Sequence, residues 1–195
     1  MARDRASRPE AKPLRLFVAV DIPDDVRDEL ARATKNIRGR LGSGRWVPPD
    51  NWHVTLKFLG STWPRLLDRV HAVCARTAAT HDAFEAKLSG IGAFPNTGRA
   101  RVLWAGLEDP AGSLGSIAAA LDRELAWAFE PEKRAFTPHL TFARFAPPAS
   151  VQDALDAAEL AGEPFVVDRL RLYRSHLQRP APRYEVIGEF ELEGR

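Results

Sequence analysis

One short pattern constrains this chain more than anything else in it. Residues 51–60 read NWHVTLKFLG and residues 136–145 read FTPHLTFARF. Each contains His, an apolar residue, Thr and another apolar residue inside a run with strand character, and the two histidines are 86 positions apart. The surroundings repeat as well. LRLFVAV (14–20) precedes the first motif and RVLWAGL (101–107) the second, each joined to its motif through a stretch with helical spacing. Leu16 lies 37 residues before His53, and Leu103 lies 36 before His139. After each motif a second helical stretch leads to a strand that opens on Phe, at Phe84 and Phe165. A repeated order of this kind predicts an α+β chain of two similar lobes, with mainly antiparallel sheet, outer helices and a central cleft. The lobes would be related by an approximate two-fold axis.

The remaining elements follow from local signals. Residues 24–41 carry a helical stripe through Val26, Leu30, Ala33 and Ile37 and stop at Gly42. STWPRLLDRVHAVCARTAATH (61–81) opens on a Ser/Thr cap signal and reads as a helix. FEAKLSGIGAF and RVLWAGL flank the turn PNTGR. A helix is expected over 112–130 and a short one over 151–162. FVVDRLRLYRSHL and RYEVIGEFEL read as two closing strands around a Pro-rich turn, QRPAPR. Residues 1–13 are charged, lack an apolar core and read as a disordered leader to a single bilobal domain over 14–195.

Composition narrows the function classes. Of 28 Lys and Arg residues only five are Lys, and Arg forks suit phosphate. A coding bias toward Arg accounts for this equally well, and the net charge is only +2. The single cysteine, Cys74, excludes an internal disulfide and a multi-cysteine metal site, and it reads as core. No apolar run is long enough to span a membrane. A cytoplasmic location is the default expectation.

Side chains alternate along a strand, so His53 and Thr55 share one face, and Val54, Leu56 and Phe58 take the other. His139 and Thr141 repeat this against Leu140 and Phe142. If the lobes pack about a two-fold axis, two imidazoles and two hydroxyls line one cleft. That set suits a phosphodiester. One imidazole takes a proton from the attacking oxygen and the other gives one to the leaving oxygen. The Thr hydroxyls hold the non-bridging oxygens. No metal or other cofactor is called for, since two histidines without carboxylate or thiolate companions make a poor zinc set.

These residues resemble the two-histidine phosphoesterase superfamily, and most closely the bacterial and archaeal RNA 2′,3′-cyclic phosphodiesterases, also called 2′-5′ RNA ligases. RLFVAVDIP, WVPPDNWHVTLKFLG, GAFPNTGRARVLWAGL, FTPHLTFAR and LYRSHLQRPAPRYEVIGEF carry the likeness in order and spacing. The resemblance implies a bilobal two-histidine phosphoesterase fold and hydrolysis of an RNA 2′,3′-cyclic phosphate to a 2′-phosphomonoester. It implies His53 as proton donor, His139 as proton acceptor, and Thr55 and Thr141 as phosphate ligands. The near-equivalence of the two halves does not fix that split. The reverse reaction would join a cyclic end to a 5′-hydroxyl without ATP, and no P-loop or nucleotidyl-transfer lysine motif is evident. The expected partner is RNA with a 2′,3′-cyclic phosphate end, tRNA fragments included, and a monomer without an obligate protein partner.

Further candidates are weaker. Lys57 falls on the Thr55 face by alternation and either meets an RNA phosphate or stays solvated. Arg144 falls opposite Thr141 unless the strand bends, and it resembles the Arg that ends the family's second motif. Phe17 beside Ala19 either admits a stacked base or packs as core. Tyr173 and Ser175 share a face of the late strand and either line the cleft or form a strand-surface pair, while His71 and His81 read as surface and His176 as structural. Trp46 or Trp52 borders the cleft. Two other readings remain open: a phosphodiesterase for another cyclic nucleotide, an ADP-ribose cyclic phosphate or 2′-5′ oligoadenylate, and a non-catalytic RNA-binding module. The paired acid and base groups argue against the second.

Overall fold

LRLFVAV is apolar without alternating because both faces of the strand it forms are covered. In the computed structural model, which describes residues 12–193 except 157, 159 and 161, β1 (Leu14–Asp21) buries Leu16, Val18 and Val20 in the main core. Its other face buries Phe17 and Ala19 in a separate small cluster with Tyr173. Most of the leader expected over 1–13, and part of the helix expected over 151–162, lie outside the described residues.

Four helices and eight further strands follow among the described residues. They are α1 (Asp24–Leu41), β2 (Arg45–Trp46), β3 (His53–Thr62), α2 (Leu67–Ala79), β4 (Phe84–Phe94), β5 (Ala100–Glu108), α3 (Ser113–Leu125), β6 (His139–Ala149), α4 (Gln152–Leu155), β7 (Phe165–Val167), β8 (Arg169–His176) and β9 (Arg183–Glu191). α1 buries Val26, Leu30, Thr34 and Ile37, and only half-buries Ala33. The Thr34 hydroxyl is satisfied by donating to the Leu30 carbonyl at 2.8 Å. At its end Gly42 turns left-handed (φ 58°) and its N–H donates to the Arg38 carbonyl. The Ser/Thr signal at 61–62 does not cap a helix. Both residues belong to β3, and α2 starts later, after Trp63 and a 3-10 turn at Pro64–Leu66.

All strands join one antiparallel sheet in the order β7-β4-β5-β6-β3-β1-β8-β9, with β2 beside β6. The first lobe holds β3, β1, β8 and β9, and the second holds β6, β5, β4 and β7. Their only strand-to-strand link among the described residues is the pairing of Val54 with Leu140. The duplication is therefore present, with two corrections. FVVDRLRLYRSHL breaks at Asp168 into β7 and β8, which pair with β4 and β1 respectively. The strands opening on Phe84 and Phe165 are not equivalent. They pair with each other in the second lobe, and the counterpart of β4 is β8. Each lobe thus contains a strand from the other half of the chain. Matching registers also make Val18 the counterpart of Leu103, because these residues face Lys57 and Ala143.

Helix α3 packs against β3 and α2, α2 against β8 and β9, and α1 against α4. The main apolar core runs through both lobes and takes in Val54, Leu56, Leu140 and Phe142, the apolar halves of both motifs. Cys74 is fully buried in it, and burial pushes its thiol pKa up to about 12. No helix is long and apolar enough to cross a membrane among the described residues.

Candidate active site

Each motif strand carries a bulge at the same place. In β3 the register with β1 slips between Thr55 and Lys57, so Leu56 is the extra residue. In β6 the register with β5 slips between Thr141 and Ala143, so Phe142 is extra. A bulge reverses the alternation of everything after it. His53, Thr55, His139 and Thr141 face one cleft of about 520 Å³, as alternation predicts. Beyond the bulge the expected faces exchange. Phe58 and Arg144, assigned to the core side by strict alternation, line the cleft.

Lys57 turns inward and is 1% exposed. Its ammonium donates to Asp122 of α3 at 2.5 Å and to the Glu130 carbonyl at 2.8 Å, with Glu132 at 3.8 Å. The expectation that Lys57 meets an RNA phosphate is therefore corrected. It ties the first motif strand to a helix from the other half of the chain. Burial works against the Asp122 carboxylate, but the Lys57 ammonium and the Glu132 amide outweigh it and hold its pKa below the usual value.

The two imidazoles are held in the same way. His53 Nδ1 lies 2.8 Å from the Asn51 carbonyl, and His139 Nδ1 lies 2.8 Å from the Thr137 carbonyl, each two residues back. A carbonyl only accepts, so Nδ1 carries the hydrogen in both rings and Nε2 is left to exchange protons. Around this shared plan the surroundings differ. His53 stacks on Phe17 at 4.7 Å and meets Tyr184 edge-on at 5.2 Å. His139 meets Phe94 edge-on at 5.2 Å and Trp104 at 6.4 Å. Trp104 lies over its cross-strand partner Gly92, where a Cβ would fall 2.2 Å from the indole ring.

Phe17 lines the cleft but is only 4% exposed, and its ring also stacks on Tyr173 at 5.1 Å. It backs the His53 imidazole, and the reading of Phe17 as an open platform for a base is corrected accordingly. Burial lowers the His53 pKa from 6.5 to about 4. The Asn51 carbonyl and Asp21 oppose that shift, while Arg144 and His139 reinforce it. Asp21 is the register partner of His53 on β1, accepts from the Tyr173 hydroxyl at 2.6 Å, and is ion-paired to Arg171.

This arrangement fixes a stability prediction. Between pH 4 and 6.5 the unfolded chain protonates His53 and the folded chain resists it. The contribution of this ring is fully present above 6.5 and is lost as pH falls toward 4. The melting temperature of H53Q is expected to fall less steeply over that window than that of the native protein. Equal slopes would contradict the burial of this ring.

Four arginines line the cleft, at 15, 45, 144 and 179, and no Asp or Glu does among the described residues. A formal charge of +2 over the chain thus becomes a concentrated positive field in one place. Arg45 and Arg144 are direct cross-strand partners of β2 and β6. Like charges placed opposite each other cost stability, and an anion between them removes the cost. Burial, and then Arg45, lower the proton affinity of Arg144.

Sequence reading missed several of these groups. Arg45 sat in a strand of two residues, too short to show a period. Residues 178–182, read only as a turn, border the cleft together with Leu177 and are tied to it by the Asn51 amide, which donates to the Pro182 carbonyl at 2.7 Å. The Asn51 and Thr137 carbonyls left one faint signal, their matching place two residues before each His. Of the weaker candidates, Trp46 and Ser175 line the cleft, whereas Trp52 is buried with its indole N–H on the Val47 carbonyl. Tyr173 is buried rather than on the surface. His176 pairs with Glu185 at 2.6 Å, His81 bridges Thr77 and Ser116, and His71 packs half-buried against Phe190.

Known proteins share both the sequence and the shape. An RNA 2′,3′-cyclic phosphodiesterase of Methanothermobacter thermautotrophicus is 34% identical over 187 residues, covering 92% of this chain and 99% of that protein. One from Thermus thermophilus is 35% identical, covering 93% and 91%. The crystal structure of the Thermus thermophilus protein TT0787 superposes with a TM-score of 0.81 at 32% identity, over 93% of this chain and all of that one. Escherichia coli LigT complexed with 3′-AMP superposes with a TM-score of 0.74 at 25% identity, over 93% and 99%. The family model described as 2′-5′ RNA ligase superfamily matches residues 22–179. That match takes in both bulged motif strands, and the chain belongs to the 2′-5′ RNA ligase superfamily.

Proposed function

We propose that this protein hydrolyses the 2′,3′-cyclic phosphodiester at an RNA end to a 2′-phosphomonoester, without a metal ion. The carrying observation is the pair of imidazoles fixed alike through Nδ1, each beside a Thr of its own strand, in one arginine-lined cleft. The relatives named above as RNA 2′,3′-cyclic phosphodiesterases support the substrate class. The cyclic phosphate lies between the lobes, its non-bridging oxygens on the Thr55 and Thr141 hydroxyls and near Arg144. His139 Nε2 takes a proton from water, whose oxygen bonds to phosphorus. The bond from phosphorus to the 3′ oxygen breaks, and His53 Nε2 gives that oxygen its proton. One proton enters His139 and one leaves His53, so exchange with solvent resets the site.

Burial keeps His53 neutral. The phosphate anion arriving beside it raises its proton affinity and arms it as the donor. A 5′-hydroxyl in place of water gives 2′-5′ joining by the same steps. The proposed setting is the cytoplasm, with a monomer acting on RNA fragments, tRNA fragments among them.

One observation favours the opposite division of labour. A ring with a pKa of about 4 is already in the form a base needs. A substrate whose 3′ bridging atom is sulfur separates the two, because a thiolate leaves without a proton. Rescue of H53A and not H139A is expected, and the reverse pattern would exchange the roles. The activity itself is tested on a 2′,3′-cyclic-phosphate oligonucleotide with and without EDTA, with phosphorus NMR of the product. A 2′-phosphate formed at an unchanged rate in EDTA is expected. A 3′-phosphate, or dependence on metal, would overturn the reading.

A further inference from the structure

The two lobes frame their histidines differently. In the first lobe, cross-strand rows run Ala19–Arg171 and Phe17–Tyr173 from β1 to β8. In the second, the matching rows run Trp104–Gly92 and Val102–Phe94 from β5 to β4. The match follows from Ala19 pairing with Thr55 and Trp104 with Thr141. Phe94 therefore stands where the first lobe has Tyr173. What lies beyond each of them differs. β9 pairs with β8 along this stretch and lays Tyr184 against Phe17 and Tyr173, so Tyr173 is 8% exposed. In the second lobe β7 pairs with β4 only at Phe84–Ala86. Among the described residues no strand lies beyond Phe94, and its ring is 36% exposed. The wall beside His53 is closed, and the wall beside His139 is open.

The open side is aromatic. Phe94 meets His139 edge-on at 5.2 Å and Trp104 at 5.1 Å, and the half-buried Trp104 ring lies 6.4 Å from His139. Neither ring lines the cleft itself, so both border it just past His139. In-line displacement puts the attacking oxygen opposite the leaving 3′ oxygen. With His53 at the 3′ oxygen, the attacking oxygen lies about 3 Å from His139 Nε2. Water needs nothing more. A 5′-hydroxyl brings a ribose and a base, and only the open side has room for them. An exposed flat ring one ribose away suits that base. We propose that Phe94 and Trp104 form the subsite for the base of the nucleoside whose 5′-hydroxyl attacks the cyclic phosphate. In that joining step the 5′ oxygen bonds to phosphorus and its proton passes to His139 Nε2. The bond to the 3′ oxygen breaks, and His53 Nε2 supplies that oxygen's proton. The assignment rests on the proposed function, with His139 on the attacking side, and extends it to the second substrate.

Joining and hydrolysis use the same cyclic end and the same two imidazoles, so their ratio in one reaction cancels any effect of a substitution on the rings. A cyclic-ended oligonucleotide is offered a 5′-hydroxyl oligonucleotide that begins either with adenosine or with an abasic residue. The 2′-5′-joined and 2′-phosphate products are then quantified for the native protein, F94A, F94L and F94W. Stacking is worth about 1–3 kcal/mol per base, or roughly 5- to 150-fold. The native protein is expected to favour the adenosine acceptor by about 10-fold in that ratio. F94A and F94L should lose most of the preference, F94L because it keeps apolar bulk without a flat face, and F94W should keep it. Equal joining of the two acceptors by the native protein, a preference that survives in both F94A and F94L, or hydrolysis with no joined product would each overturn the subsite and leave the proposed hydrolysis standing. A cyclic end neither hydrolysed nor joined would overturn both.

Discussion

H53A and H139A are each expected to lower turnover of a 2′,3′-cyclic-phosphate oligonucleotide by about 10²- to 10⁴-fold, the range of a positioned proton-transfer group. The double variant should be little worse than either single one, because the two rings serve one displacement and neither is useful alone. Both variants should stay folded, since each imidazole is only half-buried and the apolar residues of both motifs are untouched. Circular dichroism and a melting curve separate loss of chemistry from loss of fold. Near-native turnover in either variant would remove that ring from the reaction. A large loss in melting temperature would make its role structural.

The largest expected effect on stability lies behind the cleft. D122A strips the 1%-exposed Lys57 ammonium of its 2.5 Å partner, leaving the Glu130 carbonyl and a carboxylate at 3.8 Å. Removing one member of a buried ion pair costs about 3–5 kcal/mol. The lower end, about 3 kcal/mol in denaturant unfolding, is expected here because Asp122 is a quarter exposed. K57M should cost distinctly less, since it removes the buried charge and leaves Asp122 able to turn to water. If D122A costs no more than K57M, the ammonium is less confined than its burial indicates.

The overall plan was legible in the sequence because it rests on period and order. Two strand–helix–strand units, each ending in His-x-Thr-x, imply two lobes and a shared cleft. Both His and both Thr lie on the faces that alternation assigns them. The errors begin just past the bulge residue that follows each Thr. A bulge adds a residue without leaving a mark in the hydrophobic pattern, so Lys57 and Phe58 were read on exchanged faces, and Arg144 required a bend that nothing local announced. Strand exchange between lobes was hidden for a different reason. Partner choice depends on contacts far along the chain, and Phe84 and Phe165 look equivalent until β4 and β7 are seen paired with each other. Backbone carbonyls are invisible to any residue code, which is why the shared anchoring of the two imidazoles emerged only in three dimensions.

The exchange of strands also bears on how the molecule can move. β4 leaves the first half of the chain to complete the second lobe, and β8 and β9 return from the second half to complete the first. Lys57 and Asp122 add a rivet between the halves. The two halves of the chain are laced together, so drawing them apart would mean stripping the β4–β5 and β1–β8 ladders of backbone hydrogen bonds, whereas the lobes themselves share the one strand pairing of Val54 with Leu140. Neither half of the chain completes a lobe alone, so each wall of the cleft is built only when both halves are in place.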